Sequence, residues 1–382
     1  MSHRCPEKFL HGRGAEALFL VFFIFAVSLP PTEGAEVKPE WRVRWDAILE
    51  AAEKEGHVAI YGSEDYERVF QGFQKKFPDI KATFVLGPGG QIGQRIMSER
   101  RAGRYLADLY VGGSGTAHDV LHKANVFDPI RPALILPEVV DTSRWWRQKH
   151  YYVDQQGEYI LAFNGEVQAY FGYNTRLVNP KEFRSYWDFV NPRWRGKIVA
   201  IDPSSGGGVT GVLRFLYHTP GLGPQFLRRF LGEMDLTATR DLRQITDWLA
   251  SGKFAISALA GRRIGLDEAK RQGLPVDWFH PGSFKEGAPL STSNGNAGLI
   301  SGSPHPNAAK AALNWLLSRE GQIAYQTIVV GSDSLRIDIP KNSVPAYKRR
   351  LEKAQYEMID NPETRDLEIV LQLVKQVWGK KR

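Results

Sequence analysis

The stretch HVAIYGSED, at residues 57–65, decides the fold. Its first five residues are β-rich, and a turn of small and polar residues follows them before a helical pattern begins. The same succession of strand, small-residue loop and helix recurs from Ile80 to Arg101 and starts again at Asp108–Val111. Because this succession is typical of parallel βαβ units, the sequence predicts an α/β domain.

A second α/β unit is predicted further along the chain. Strand-like runs at Tyr159–Phe163 and Gln168–Tyr173 lead to the strand Ile198–Ile201, which ends in the loop DPSSGGG at residues 202–208. A helix follows that loop, and the strand Phe254–Leu259 comes later. The chain has 382 residues, which is more than a single hydrophobic core usually contains. Two domains are therefore expected.

The N-terminus has the pattern of a secretory signal peptide. Basic residues precede the apolar run Ala17–Leu29, and small residues near Ala35 follow it. About 13 apolar residues are too few to span a bilayer as a helix, so residues 1–35 are predicted to be a cleaved signal and the mature chain to be periplasmic. A retained N-terminal anchor is the alternative.

Charge and cysteine content exclude several classes of function. The net charge is +8 and the sequence pI is about 9.4, but the basic residues are scattered, which disfavours nucleic-acid binding. Cys5 is the only cysteine of the sequence, and it precedes the apolar run. Removal of the signal therefore excludes disulfides, thiolate metal sites and thiol nucleophiles.

Glycine and hydroxyl-bearing residues gather where strands end and helices begin. They are Ser63 in the first turn, Gly89 and Gly90 in the second, Ser114 and Thr116 in the third, and Ser204, Ser205, Gly206, Gly207 and Thr210 in the fourth. Glu64, next to Ser63 in the first turn, is a further candidate. Helix N-termini attract negative groups, and ligands of open α/β sheets bind at the carboxyl ends of the strands. We therefore predict that these loops converge on one binding cleft. The alternative is that the glycines only make tight turns.

Two arginines extend this prediction, whereas catalytic and metal motifs are absent. Arg262 and Arg263 follow the strand Phe254–Leu259, where a guanidinium can clamp a carboxylate or phosphate. A solvated pair at the start of a helix is the alternative.

The sequence contains no P-loop, GxSxG or HExxH motif. His118 and His122 have metal-ligand spacing but no third ligand, so neither a metal nor a cofactor is predicted.

Four segments resemble one known family. They are AAEKEGHVAIYGS (51–63), FQKKFPDIKATF (73–84), YWDFVNPRWRGKIVAIDPSSGGG (186–208) and HPNAAKAALNWLLSREGQ (305–322). In this order, behind a signal peptide, they resemble the periplasmic substrate-binding components of ABC importers, of the two-domain type II class. Within that class the chain is similar to the branch that binds ferric ion, thiamine and aminoethylphosphonate. The resemblance covers residues 41–340.

The resemblance implies two α/β lobes joined by two crossover strands, with the ligand in the cleft between them. Residues 36–172 and 296–340 would form lobe 1, residues 173–295 lobe 2, and residues 341–382 a C-terminal helical segment packed on the lobes. The last part of the chain lies beyond the resemblance, and its own pattern predicts a final amphipathic helix with the apolar residues Leu351, Tyr356, Leu371, Val374 and Trp378. The ligand would lie between the loops named above, with Arg262 on lobe 2 and Tyr173 at the hinge.

One departure from the family bears on the solute. Iron-binding members carry adjacent tyrosines just after the strand that matches Phe254–Leu259, where this chain reads Ala-Gly-Arg-Arg at residues 260–263. Two cations there would repel Fe³⁺. We therefore expect a small organic anion, while iron remains an alternative and a thiamine-like cation could stack on Tyr66, Tyr173 or Trp278.

The sequence thus predicts a monomeric, non-catalytic solute receptor. Closure of the two lobes would capture the solute, and the closed form would deliver it to an ABC permease in the inner membrane. One alternative is a secreted phosphate-ester hydrolase that uses a serine of the 204–210 loop, although no base is evident beside it. Another is a receptor that signals to a membrane sensor.

Overall fold

The apolar runs of the sequence form three β-sheets, and helices pack on the two larger ones. The computed structural model describes residues 38–206, 208–260 and 265–379, and all of them after Lys38 belong to one compact unit. The strands in these ranges are β1 (His57–Gly62), β2 (Lys81–Leu86), β3 (Leu109–Gly112), β4 (Phe127–Asp128), β5 (Tyr151–Tyr152), β6 (Leu161–Ala162), β7 (Glu166–Val167), β8 (Gly172–Asn174), β9 (Ile198–Ile201), β10 (Thr237–Thr239), β11 (Ile256–Ala258), β12 (Val276–Trp278), β13 (Ala288–Ser291), β14 (Asn296–Ile300) and β15 (Tyr356–Met358). The α-helices are α1 (Glu40–Glu55), α2 (Tyr66–Val69), α3 (Gln71–Lys76), α4 (Gly89–Arg101), α5 (Pro137–Val140), α6 (Gly208–His218), α7 (Gly223–Glu233), α8 (Leu242–Ala250), α9 (Leu266–Arg271), α10 (Pro306–Leu317), α11 (Arg319–Ile328) and α12 (Glu368–Trp378). The predicted α/β class is confirmed.

A seven-stranded sheet and the helices packed on it form lobe 1. The strand order is β2-β1-β3-β14-β6-β5, and β4 also pairs with β14. Strand β1 is parallel to β2 and β3, whereas β14 is antiparallel to β3 and β6. Gly62 ends β1 so close to Val111 that a Cβ would lie 1.9 Å from the Val111 carbonyl oxygen. Only glycine therefore fits where β1 leads into the first turn.

Aromatic side chains fill the core between this sheet and its helices. Trp315 of α10 is 2% exposed, and its ring centroid lies 5.4 Å from that of Phe70 and 5.9 Å from that of Phe73. Helix α10 also packs along α1 and β1. Helix α10, in the segment at residues 305–322, is buried along most of its length.

A five-stranded sheet forms lobe 2. Its order is β10-β9-β11-β8-β12, with β9 parallel to β10 and β11, and β8 antiparallel to β11 and β12. Phe171 and Phe189 stack in its core with ring centroids 4.2 Å apart. Helix α12 packs on α7, and four of its side chains belong to the same core. They are Val370, Leu373, Val374 and Trp378.

A small ribbon of three strands connects the two lobes, and we call it the hinge ribbon. The chain passes from β6 of lobe 1 through β7 to β8 of lobe 2, and it returns through β13 to β14 of lobe 1. Strands β7 and β13 pair antiparallel, and β15 pairs parallel to β13 on its other side. The C-terminal part of the chain thus adds a strand to the segments that cross between the lobes.

The structure corrects the prediction for the C-terminal segment. One amphipathic helix through Leu351 and Tyr356 was expected, but Tyr356 lies in β15 and the helix covers only Glu368–Trp378. Pairing with β13 extends the backbone at Tyr356, and Pro362 separates the strand from the helix. Leu371 is 42% exposed, so it does not belong to the buried face of α12.

Other predicted elements are shorter or divided. The predicted strand Gln168–Tyr173 is interrupted, because β7 ends at Val167 and β8 begins at Gly172, where the chain changes sheets. Within the predicted strand Tyr159–Phe163, only Leu161–Ala162 forms a strand, β6. The predicted signal peptide, Gly207, Arg262 and Arg263 lie outside the described residues.

Candidate ligand-binding cleft

A cavity of about 730 Å³ opens between lobe 1, lobe 2 and the C-terminal segment. Its lining residues are Ser114, Gly115 and Asp119 of lobe 1, Gln168, Tyr170 and Ser291 near the hinge ribbon, Ile201, Ser205, Gly206, Gly208, Val209, Thr210, Gly211, Arg214, Arg240, Leu242, Leu259 and Ala260 of lobe 2, and Ile359, Asp360, Arg365 and Leu367 of the C-terminal segment. Cavities of several hundred cubic ångströms hold small molecules. The lining mixes apolar walls with charged groups.

The N-terminus of α6 faces this cavity, and the loop before it is held by Asp202. The Asp202 carboxylate is 1% exposed and accepts hydrogen bonds from the backbone N–H of Ser204 at 3.0 Å and from its hydroxyl at 2.7 Å. Arg240 Nε donates to the other carboxylate oxygen at 3.1 Å. These bonds fix the course of the chain up to Ser205, which lines the cavity. The positive end of an eleven-residue helix thus opens on the cleft.

Arg214 also belongs to α6, six residues after its first residue, Gly208. Its Nη2 donates to the Ile359 carbonyl oxygen, while its Nε is buried and has no hydrogen-bond partner among the described residues. Burial lowers the pKa of Arg214, whereas the nearby carboxylate of Asp360 raises it. A buried guanidinium N–H without a partner is costly in a folded protein, and an anionic ligand would satisfy it.

Arg365 brings a second guanidinium to the cleft from the C-terminal segment. Its Nε and Nη2 donate to the two carboxylate oxygens of Asp119 at 3.1 and 3.0 Å, and Nη2 also lies 3.2 Å from the Ser114 carbonyl oxygen. Its Nη1 is buried and finds no partner in the described part of the chain. Two arginines that line the cavity therefore each carry a buried N–H donor without a partner in the described part of the chain.

Carboxylates balance these cations. Asp360 is 8% exposed and accepts hydrogen bonds from the Ser114 hydroxyl at 2.7 Å, the Thr292 backbone N–H at 2.8 Å and the Thr292 hydroxyl at 3.0 Å. Burial, and to a smaller degree the charge of Asp360, raises the pKa of Tyr170 well above the ordinary value. The Tyr170 phenol in the cleft wall is therefore protonated at neutral pH.

The structure brings part of the predicted site together. Ser114, Ser205, Gly206 and Thr210 all line the cavity, although they come from different lobes. Ser63, Glu64, Gly89, Gly90, Thr116 and Tyr173 do not line it. Gly207 and Arg262 lie outside the described residues, and their contribution to ligand binding stays a prediction.

Local packing explains why several predicted residues lie elsewhere. Gly89 is the first residue of α4, and it packs closely on Thr116. A Cβ on this glycine would lie 2.6 Å from the Thr116 hydroxyl oxygen. This close contact joins the second and third turns to each other beside the cavity. Tyr173 is 7% exposed in β8, where its ring packs on Phe279 with a centroid distance of 4.6 Å.

Five charged residues of the lining, Asp119 among them, were not predicted. Arg214 follows Thr210 by four residues and so lies on the same face of α6, a signal that was available in the sequence. Arg240 comes directly after β10. Arg262 has a similar position in the sequence, after the predicted strand Phe254–Leu259. Asp360 and Arg365 carry no comparable signal, because long-range pairing of β15 brings them to the cleft.

Comparison with known proteins agrees with this architecture. The chain is 18% identical to an iron- and citrate-bound structure of Trichodesmium IdiA (FutA), with a TM-score of 0.64, over 84% of this chain and 99% of the other. It is 17% identical to AfuA of Actinobacillus pleuropneumoniae with exogenous fructose-6-phosphate bound, with a TM-score of 0.55, over 85% of this chain and 99% of the other. An uncharacterised protein of Haemophilus influenzae is 25% identical over 285 residues, which are 72% of this chain and 77% of the relative.

The family assignment follows from the sequence match. The sequence profile described as "Bacterial extracellular solute-binding protein" matches residues 59–323, which include strands of both lobes and of the hinge ribbon. None of the helices in the described ranges has the length and apolar character that a membrane span requires. The chain belongs to the bacterial extracellular solute-binding proteins and is a receptor for a solute.

Proposed function

We propose that this receptor is periplasmic, that it captures a small organic anion in the cleft, and that it delivers the anion to an ABC permease. The observation that carries the proposal is the pair of buried guanidinium N–H groups, Arg214 Nε and Arg365 Nη1, which have no partner in the described structure and belong to residues of one cavity. A carboxylate, phosphonate or phosphate ester offers the acceptor oxygens that these donors lack.

The helix terminus and the hydroxyl groups support the same class of solute. The N-terminus of α6 favours a negative group, and Ser205 and Thr210 carry side-chain hydroxyls at that end of the cavity. The AfuA structure was obtained with a phosphorylated sugar, which is an anion of this class. Predicted residues Gly207 and Arg262 would add to the site on the lobe 2 side.

Ferric ion is the less favoured solute. The Tyr170 phenol, which lines the cavity, has a raised pKa because it is buried, so it does not readily supply a phenolate ligand. Arg214, Arg240 and Arg365 would also repel a bare Fe³⁺ ion. An iron–citrate complex is an anionic form of iron, and it therefore belongs in the binding test beside organic anions.

Thermal unfolding in the presence of candidate solutes tests the proposal. The panel contains small carboxylates, phosphonates and phosphate monoesters, together with Fe³⁺, iron–citrate and thiamine. A solute at roughly 100 times its dissociation constant adds about 2.7 kcal/mol to stability, which raises the melting temperature visibly. A rise with a member of the anion panel supports the proposal. Tight binding of bare Fe³⁺ or thiamine without any response to an anion contradicts it.

The hydrolase alternative is tested in the same samples. Ser204 donates its hydroxyl to Asp202 two residues earlier and so forms part of the loop, whereas Ser205 lines the cavity. A binding protein leaves its solute unchanged. Release of product from a generic phosphate ester, abolished by Ser205→Ala, would favour the hydrolase over the receptor.

A further inference from the structure

The C-terminal segment lines the cleft and contacts both lobes. We call residues 356–367 the strap. It begins with β15 on the hinge ribbon, continues past Ile359 and Asp360 along the cavity, and ends at Leu367 directly before α12. The sequence predicts only that this segment packs on the lobes, and its contacts show a more specific arrangement.

The strap is attached to lobe 2 and to the hinge ribbon by extensive packing. Strand β15 pairs with β13 over three residues, and Ile359 N–H donates to the Leu290 carbonyl at 2.8 Å. Arg214 of α6 donates to the Ile359 carbonyl oxygen. Helix α12 then buries apolar side chains in the lobe 2 core, including Val370, which is 0% exposed. These contacts join the strap to lobe 2 as a structural unit.

Beyond Ile359, the contacts of the strap with lobe 1 are of a different kind. Arg365 forms a two-pronged ion pair with Asp119, whose side chain is 49% exposed, and it also donates to the Ser114 carbonyl. The Ser114 hydroxyl donates to Asp360. These contacts are polar, and they join one short segment of lobe 1 to the part of the strap beyond Ile359. The start of the strap packs on lobe 1 by apolar contacts, with the Tyr356 ring centroid 6.4 Å from that of Trp146 and Met358 against the lobe 1 core.

This asymmetry determines what happens when the lobes separate. Movement of lobe 1 away from lobe 2 leaves the end of the strap, at residues 360–367, on lobe 2, since the apolar contacts of α12 are far more costly to break than these polar contacts. The bonds of Asp119 and Ser114 to the strap must then break. They form only while the lobes are close, and they therefore favour the closed arrangement.

We propose that the Arg365–Asp119 pair, together with the Ser114–Asp360 hydrogen bond, is a latch between strap and lobe 1 that holds the solute-free receptor closed. Arg365 and Asp119 are positioning residues in this role, because they set the separation of the lobes. The inference rests on the proposed function for its biological meaning, since closure matters to a receptor whose solute binds between the lobes. Its test requires no solute.

The distance between the lobes is the quantity to measure. Cysteines replace the exposed Gln94 of α4 in lobe 1 and Gln225 of α7 in lobe 2, and Cys5→Ser leaves them as the only thiols for a pair of fluorescent or spin labels. Arg365→Glu places a like charge against Asp119 and is expected to lengthen the label distance in the solute-free protein. Asp119→Arg should do the same from the other side of the pair.

Charge exchange separates a latch from a general loss of structure. The double variant Arg365→Asp with Asp119→Arg restores opposite charges and should bring the distance back toward that of the parent protein. Arg193→Glu is the matched control, because Arg193 pairs with Glu182 at 2.6 Å within lobe 2 and both side chains are about half exposed. It should leave the distance unchanged.

Three results overturn the latch. They are an unchanged distance in both single variants, failure of the charge exchange to restore the distance, and an equal lengthening in the Arg193 control. If Arg365→Glu does not fold, Asp119→Arg alone decides, because it alters an exposed side chain. A receptor that shows the latch response but binds no anion refutes the proposed solute class alone, and the opposite result refutes the latch alone.

Discussion

The imidazole rings of His57 and His305 meet edge to face, with their centroids 4.8 Å apart, at the start of β1 and just before α10. His305 Nδ1 lies 2.9 Å from an oxygen of the buried Asp108 carboxylate, and His57 Nε2 lies 2.9 Å from the Thr83 hydroxyl. Asp108 also accepts the backbone N–H groups of Ala59 and His305. These bonds join strands β1 and β3 to the start of the most buried helix of lobe 1.

This arrangement predicts a loss of stability at acidic pH. Burial, and then the neighbouring His305, lowers the pKa of His57 below its ordinary value of 6.5. A base with a lowered pKa binds protons less readily in the folded state than in the unfolded state, so stability is present above about pH 6.5 and falls as the pH drops below it. Urea unfolding at pH 7.5 and at pH 5.5 measures the difference.

The variant His57→Gln isolates the contribution of this pair. It should show a smaller drop in stability between the two pH values than the parent protein. His118, His150, His218 and His280 also have pKa values lowered by burial, so part of the acid sensitivity will remain in the variant. An unchanged or steeper pH dependence would contradict the assignment to His57.

Arg214→Gln is predicted to weaken binding of the anionic solute. The substitution removes the charge and the buried Nε that has no partner in the described structure. Hydrogen bonds to charged groups contribute about 1.5–3 kcal/mol, so the dissociation constant of the anion found in the thermal screen should rise about 10- to 150-fold in calorimetric titration. Arg193→Gln, on the surface of lobe 2, should leave it unchanged. If the two variants bind the anion with equal affinity, Arg214 does not take part in binding it.

Lys348→Met is predicted to destabilise the protein through the hinge ribbon. Lys348 Nζ lies 3.1 Å from a carboxylate oxygen of Glu166 in β7, and each side chain is only 4% exposed. Loss of the ammonium group leaves a buried carboxylate without its counter-charge, which costs about 3–5 kcal/mol. Denaturant unfolding measures the cost, and adding Glu166→Gln should recover part of it. A single variant as stable as the parent protein would show that the pair is dispensable.

Gly62→Ala and Gly90→Ala should differ sharply in stability. A methyl group on Gly62 meets the Val111 carbonyl oxygen at 1.9 Å, and the backbone of β3 must move, which costs about 1–3 kcal/mol or more. At Gly90, in the first turn of α4, no atom lies within 4 Å of the new Cβ, so stability should stay the same or rise by up to about 1 kcal/mol. Thermal unfolding of the two variants gives the comparison. Similar melting temperatures would contradict the close packing of β1 on β3.

The sequence predicts the parts of this fold that depend on local pattern. The run at residues 57–61 becomes β1, and Gly56 caps α1 in the left-handed conformation, with a φ of 65°. Periodicity fails at Gln168–Tyr173, because side-chain pattern alone does not show that the chain leaves one sheet and enters another between β7 and β8. It fails at Tyr356 for a related reason, since the partner strand β13 lies far away in the sequence.

The residues of the candidate site also fall into two groups, those placed by local sequence pattern and those placed by long-range pairing. Ser205 and Thr210 were predictable because they surround the start of a helix that follows a strand. Asp360 and Arg365 were not, because their place in the cavity depends on the pairing of β15 and on the packing of α12. A resemblance that covers residues 41–340 does not reach them either.

The insertion of β14 between β3 and β6 has a consequence for biosynthesis. The lobe 2 sheet uses strands from one continuous stretch, Gly172 to Trp278, so it can assemble as soon as that stretch is free to fold. The lobe 1 sheet lacks a central strand until Asn296–Ile300 emerges, although most of its other strands are made first. While the chain grows from its N-terminus, β1, β2 and β3 can pair with one another early, but they remain separate from β5 and β6 until β14 is made and joins the two groups.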